Sequence, residues 1–420
     1  MLTDDVSVPL GGVPAAELAR AYGTPLLVLD TDVFDASVAR FAALRAELGL
    51  DVAYAAKALL VVALARRLVA SPLALDVCSL GELLVAERAG FPPARIVMHG
   101  CGKTDDELQA AVEGRAGRLV IDNREELERL AAIARNGGPP AVLLRINPGI
   151  AAQTHAFVRT GGEDSKFGFA PEEMEGALAA AGAAGFHVAG LHAHIGSQIL
   201  ESEPFNESLS VLLELYARAR RAGAPLREVI AGGGFGVDAG PAGERLDVAE
   251  TLRALARRVS GECARLDVPA PRLGVEPGRA IVAEAGTSLY RVVAVKRRGT
   301  RRFVIVDGSM ADNPRPALCG AYHHPTLVSR RSESGAEAVT LCGRSCENDE
   351  LVSGELPGDV RAGDLIALRT TGAYTFSMAS NYNRFPRPAV VFAGGGTHRA
   401  VVRRETSSEL MRNDVDDATP

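Results

Sequence analysis

The sequence predicts an α/β protein in which a (β/α)8 TIM-like barrel is followed by a second, antiparallel β-sandwich or β-barrel domain. Three observations carry that prediction. From about residue 51 to 280, eight short apolar runs alternate with amphipathic stretches rich in Ala, Leu, Arg and Glu. The polar residues that end those runs fall where a barrel gathers its active site. After Arg279 the pattern changes to β-rich runs punctuated by turns.

Taken in order, the segment up to Val28 has no place in the barrel and is expected to join the β domain. The eight runs are Asp51–Lys57, Leu73–Cys78, Arg95–His99, Arg118–Asp122, Ala141–Asn147, Val188–His194, Glu228–Gly232 and Arg272–Glu276. Helical patterns separate them, among them Leu59–Val69, Glu82–Ala89, Arg124–Arg135 and Phe205–Arg221. An open dinucleotide-binding sheet would place a glycine-rich turn after its first strand, and that position holds Lys57. Beyond the barrel, Ser288–Val295 and Arg302–Asp307 read as a hairpin turning at Gly299, with further strands near Ala338–Cys342, Leu365–Leu368 and Ala389–Phe392. The barrel domain is therefore assigned to residues 29–280, and the β domain to 1–28 and 281–420. The polar tail beyond about Arg403 is expected to end loosely.

At 420 residues the chain has room for two domains. Its 47% hydrophobic and 23% charged residues are an ordinary globular composition. A net charge of −6 gives no reason to expect nucleic acid or an anionic membrane as partner. Arg297, Arg298, Arg301 and Arg302 read as decoration of the hairpin. The acidic start lacks the pattern of a secretory signal, and Arg66 and Arg67 interrupt the best apolar run, so a cytoplasmic location is expected. Cys78, Cys101, Cys263, Cys319, Cys342 and Cys346 show no C-x-x-C spacing, which favours free thiols and no metal site.

Lys57, Asp76, His99, Asp122, Asn147, His194, the Gly232–Gly236 run and Glu276 all end apolar runs. A strand-end amine can be desolvated and form an imine with a carbonyl cofactor, although such a lysine taken alone reads as a solvated surface residue. Gly232-Gly233-Gly234-Phe235-Gly236 lets backbone N–H groups approach an anion. Glu276-Pro277-Gly278-Arg279 adds a second glycine turn and a cation, and the two loops together read as a phosphate cradle. Glu276 suits a pyridine nitrogen, which a carboxylate keeps protonated, or else a salt bridge to Arg279 or another rim cation. His192 and His194 alternate with strand period, which suits zinc ligation or a flat ring stacked on a cofactor. The distant Cys346–Glu347 pair offers a thiol beside a carboxylate, a proton donor for imine chemistry.

These stretches, together with Arg145-Ile-Asn-Pro-Gly149, Ser165-Lys-Phe-Gly168, Asp312-Asn-Pro-Arg315, Gly372-Ala-Tyr374 and Ser377–Asn383, resemble the alanine-racemase-fold (fold type III) pyridoxal 5'-phosphate-dependent decarboxylases. Within that group the chain is most similar to the diaminopimelate decarboxylases, over nearly its whole length. The resemblance implies a carboxy-lyase that turns meso-diaminopimelate into L-lysine and CO2. Lys57 would hold the cofactor covalently. Asp76, His194, Ser197, Gly233, Gly234, Gly236, Glu276, Gly278, Arg279 and Tyr374 would surround it, with His194 on the ring and Glu276 at its nitrogen. Arg279, Arg315, Cys319, Glu347 and Tyr374 would meet the substrate. Cys346 would be catalytic, reaching across a head-to-tail homodimer into the partner's site.

Two positions depart from the family pattern. Cys319 stands where a tyrosine is usual, and Asn348 where the family usually has serine after Cys-Glu. The alternatives are a decarboxylase of another ω-functionalised amino acid in a specialised pathway, a racemase of the same fold, or a non-catalytic relative that binds the cofactor.

Overall fold

The computed structural model describes residues 7–134, 141–150, 160–162, 164–237 and 243–415; the acidic start and the last five tail residues lie outside them. The chain divides into two compact units. One comprises Ser37–Val237 and Arg245–Ile281; the other comprises Met1–Ala36, Asp238–Glu244 and Val282–Pro420.

The first unit is a closed barrel of eight parallel strands: Asp51–Ala55, Ala74–Val77, Ile96–Met98, Arg118–Ile121, Ala141–Arg145, Val188–His192, Glu228–Ile230 and Arg272–Val275. The last pairs with the first, Val275 lying opposite Val52. Every expected run forms its strand. Helices cover the outer face and side chains fill the inner one, so each strand reads as a continuous apolar run. Val97, Val120, Leu143, Ala189 and Ile230 pack together as a buried cluster drawn from five of these strands.

Most strands stop one or two residues earlier than the apolar pattern suggests. Among the polar residues at or just past their ends, Lys57, His99, His194 and Glu276 border the cavity of the rim. Side-chain caps set where four of the following helices start. Ser79 accepts from the Glu82 amide, Asn123 from Glu126, Asp247 from Glu250, and Thr104 forms a capping box with Glu107. At the opposite mouth Arg118 and Arg272 pair with Glu228 and Asp51 at 2.9 Å each.

The second unit holds one branched, nine-stranded sheet. Gly286–Arg298 organises it: its first half pairs with Leu26–Asp30 and with Leu365–Arg369, and its second half with Arg301–Val306. Its pairing with Arg301–Val306 contains a register shift between Val292 and Ala294. The N-terminal segment does join this sheet, Leu26–Asp30 lying between Gly286–Arg298 and Ala389–Gly394. The sheet is mostly antiparallel, as expected, but two pairs are parallel, Arg301–Val306 with Ala336–Cys342 and Leu26–Asp30 with Ala389–Gly394. Both parallel pairs join segments far apart in the chain, so no turn signal announces them. Of the hairpin arginines, Arg302 is no decoration: it is buried and donates to the carbonyls of Pro357 and Val360.

A buried polar pair supports the segment that carries Arg315. The Tyr290 hydroxyl donates to Asp312 at 2.8 Å, and the Ser309 amide donates to the same carboxylate at 2.7 Å. Burial lifts the Asp312 carboxyl from its ordinary 3.8 to about 7. Between those values the native state keeps a proton that the unfolded chain has released, so stability falls as pH rises through the window. Asp312→Asn keeps the shape and should flatten that part of the profile; urea midpoints of both proteins from pH 4 to 8 provide the check.

Candidate active site

Of the predicted rim residues, Lys57, His99, His194 and Glu276 border a cavity of about 530 Å3, with Lys103, Arg145 and His192 among its other walls, while Asn147 lines a separate pocket. Lys57 lies in the short 3-10 turn Ala56–Ala58 directly after the first strand. Its amine is 3.6 Å from Asp76 Oδ2, an oxygen that accepts no hydrogen bond. The lysine side chain is 37% exposed while Asp76 is 1% exposed, so a reactive amine faces the cavity with a buried counter-charge behind it.

Lys103 borders the same cavity but is tied down. Its side chain is 1% exposed, pairs with buried Glu126 at 2.8 Å, and donates to the carbonyls of Gly100 and Val120. Of the two amines, Lys57 is the more exposed.

Glu276 forms the cavity floor. Its two oxygens lie 3.0 Å from His99 Nε2 and 3.0 Å from His192 Nε2. Burial works to raise its pKa, but the two imidazoles against it hold the carboxyl well below the usual range. Burial pushes His192 down despite Glu276. Glu276 thus meets histidines, and the expected alternative of a pair with Arg279 is not what occupies its oxygens. Behind the floor Arg145 is buried, 3.3 Å from Asp122 and stacked on Phe167.

His194 does a different job from His192. The Gly233 amide donates to its Nδ1 at 3.1 Å, so the neutral ring carries its proton on Nε2. Burial, then the nearby Lys57 and Arg145, push its pKa well below the ordinary value, which keeps the ring neutral. The strand-period reading of His192 and His194 as a zinc pair is not the arrangement found. Among the described residues, the ligand atoms that converge are those of His99, His192 and Glu276.

The glycine loops close the rim. The loop after the sixth strand bonds to the loop after the seventh through Ile199 to Gly234 and Gly236 to Ile199, and the eighth joins through Glu276 to Gly232. Gly234 adopts φ +108°, and a Cβ on Gly233 would drive into the Glu276 carbonyl oxygen. A Cβ on Gly236 would come within 2.6 Å of Leu200, and one on Gly278 within 3.0 Å of Ala55 and Ala58. Arg279 donates to Ser197 Oγ at 3.2 Å, bringing cation and hydroxyl to the same loops. Cation, hydroxyl and close-packed backbone amides are the chemistry of an anion cradle.

The remaining predicted residues belong to the second unit. Buried Arg315 opens a short helix, Arg315–Cys319, and its guanidinium is 5.4 Å from the Tyr374 ring centroid. Cys319 turns its thiol back onto the Arg315 carbonyl at 3.2 Å. Cys346 and Glu347 are exposed on the loop between Ala336–Cys342 and Glu350–Pro357. Asp349 holds that loop by accepting from the Met310 and Ser345 amides. Asn383 accepts from the Cys346 amide at 3.1 Å, and the Tyr382 hydroxyl donates to Glu347.

Sequence reasoning left Lys103 and Glu126 unnoticed and gave His99 no partner. Thr104 followed by Glu107, a capping box, marked the loop holding Lys103, but nothing local announced its buried partner. The family model described as "Pyridoxal-dependent decarboxylase, pyridoxal binding domain" matches residues 35–283. The diaminopimelate decarboxylase of Actinosynnema pretiosum is 43% identical over 97% of this chain and 92% of its own length. That of Corynebacterium efficiens is 40% identical over 98% and 92%. The crystal structure of diaminopimelate decarboxylase from Helicobacter pylori complexed with L-lysine superposes with a TM-score of 0.87 at 30% identity, covering 94% of this chain and 98% of that one.

Proposed function

The chain belongs to the family of pyridoxal-dependent decarboxylases, and we propose that it converts meso-diaminopimelate to L-lysine and carbon dioxide. It is a carboxy-lyase with pyridoxal phosphate as its cofactor. The observation that carries the reading is the meeting of the Lys57 amine and the histidine-braced Glu276 on one cavity, with the glycine loop tied to the Glu276 amide through the Gly232 carbonyl.

Those residues fit the cofactor. The cradle suits a phosphate, Glu276 suits a pyridine nitrogen, and Asp76 keeps an unused acceptor oxygen beside Lys57. When bound, pyridoxal phosphate supplies the electron sink that accepts the pair left behind as the carboxylate departs. Lys57 would hold the cofactor covalently, with Asp76 balancing its charge. His194 would present a neutral ring face, and Glu276 would keep a proton on the pyridine nitrogen. Ser197, Gly233, Gly234, Gly236, Gly278 and Arg279, with Tyr374, would hold the phosphate region. Arg279, Arg315, Cys319, Glu347 and Tyr374 are assigned to the substrate.

Cys346 returns a proton to the substrate's α-carbon, from the neighbouring subunit of a homodimer. The exposure of this thiol on a loop fixed by Asp349 and Asn383 supports that reading. Mixing Lys57→Ala and Cys346→Ala chains should restore up to about a quarter of wild-type sites, since a heterodimer then contains one intact composite site. No recovery in verified heterodimers would place both residues in the same site of one chain. A cytoplasmic location is supported by six free cysteines.

The deciding assay is CO2 release from a panel of amino acids. Meso-diaminopimelate should exceed lysine and ornithine, whose distal ammonium has no carboxylate beside it. Cys319→Tyr should raise kcat/KM for diaminopimelate, because a hydrogen bond to a charged group is worth roughly 1.5–3 kcal/mol, about ten- to a hundredfold. Turnover of a substrate without the distal carboxylate, with diaminopimelate inert, would move the chain to a specialised pathway.

A further inference from the structure

The floor of the barrel cavity contains a ligand set with a second capacity. His99 Nε2, His192 Nε2 and a carboxylate oxygen of Glu276 lie within 4.8 Å of one another, and all three residues are buried. Each imidazole nitrogen is 3.0 Å from a Glu276 oxygen. Donor atoms held about 2.0–2.2 Å from a tetrahedral zinc-sized ion stand roughly 3.3 Å apart, so these contacts need open by only a few tenths of an ångström.

Two imidazoles and one carboxylate suit a divalent transition ion better than magnesium or calcium, which favour all-oxygen sites. His99 Nε2 touches the carboxylate without making an aligned hydrogen bond. Asp76 Oδ1 lies 3.6 Å from the same nitrogen and supplies a second nearby negative charge. His99, His192 and Glu276 all border the cavity, which gives an ion its entry path.

We propose that the cofactor-free protein binds one divalent transition-metal ion through His99, His192 and Glu276, and that this ion and pyridoxal phosphate exclude each other. The exclusion rests on the proposed placement of Glu276 at the pyridine nitrogen, since a carboxylate that ligates a divalent cation no longer has the charge to hold a proton there. The site thereby makes cofactor loading sensitive to free transition metal.

Cobalt(II) is the probe, because its visible bands report ligand type. Titrating the cofactor-free full-length chain should show one ion per chain, without the charge-transfer bands of a thiolate. His99→Ala and His192→Ala should each weaken binding at least about tenfold, with circular dichroism confirming that the variants fold. Loading with pyridoxal phosphate first should cut cobalt uptake to below about a tenth. No cobalt binding to the folded cofactor-free chain, thiolate bands, or unchanged affinity in both variants would overturn the metal site and leave the decarboxylase reading intact. Cobalt and cofactor bound together would overturn the exclusion, and with it the placement of Glu276 at the ring.

Discussion

Lys57→Ala should lower kcat for decarboxylation by at least about four orders of magnitude, which is about 5.4 kcal/mol of barrier. The amine has no substitute in the cavity. Lys103, the other lysine that borders it, is buried against Glu126 and two backbone carbonyls. Releasing Lys103 would strand the Glu126 carboxylate in the interior, a change that typically costs several kcal/mol. The fold should survive, because Lys57 is partly exposed at the rim. Steady-state CO2 release with added cofactor, alongside a thermal melt, separates lost chemistry from lost structure.

Glu276→Gln should be the second most damaging change, lowering kcat by about two to three orders of magnitude, or roughly 3–4 kcal/mol. The amide keeps the size of the side chain but loses the charge that maintains a proton on the pyridine nitrogen. His99 and His192 hold this carboxylate ionised in the native site, so the variant removes a charge that the surroundings are built to keep. Cofactor affinity should fall much less, because the phosphate cradle and Lys57 are untouched. Measuring kcat and the cofactor dissociation constant separately tests this split. A parallel loss of both would mean that Glu276 serves mainly to bind.

The barrel is legible in the sequence because parallel strands are covered on both faces, and Asp51–Ala55 or Val188–His192 therefore stand out as apolar runs. The rim residues are legible for the same reason, as the first polar positions after each run. The brace around Glu276 is not. His99, His192 and Glu276 come from the ends of the third, sixth and eighth strands, and no spacing along the chain relates them. The same holds for Lys103 and Glu126, which meet across two loops. In the β domain, Glu350–Pro357 escapes notice because charged and turn-forming residues interrupt its buried ones, and Thr397–Val402 because none of its residues is buried. Cys319 and Asn348 stand out only by comparison with a family pattern. Their local geometry shows the Cys319 thiol bonded to its own helix, which suits a small space-filling residue.

The chain has four lysines, Lys57, Lys103, Lys166 and Lys296, so chemistry can decide which one carries the cofactor. Borohydride reduction of the cofactor-loaded protein, followed by peptide mapping, should place the pyridoxyl group on Lys57 alone and bleach the visible absorption. Label on Lys103, Lys166 or Lys296, or a protein that takes up no cofactor at all, would contradict the account.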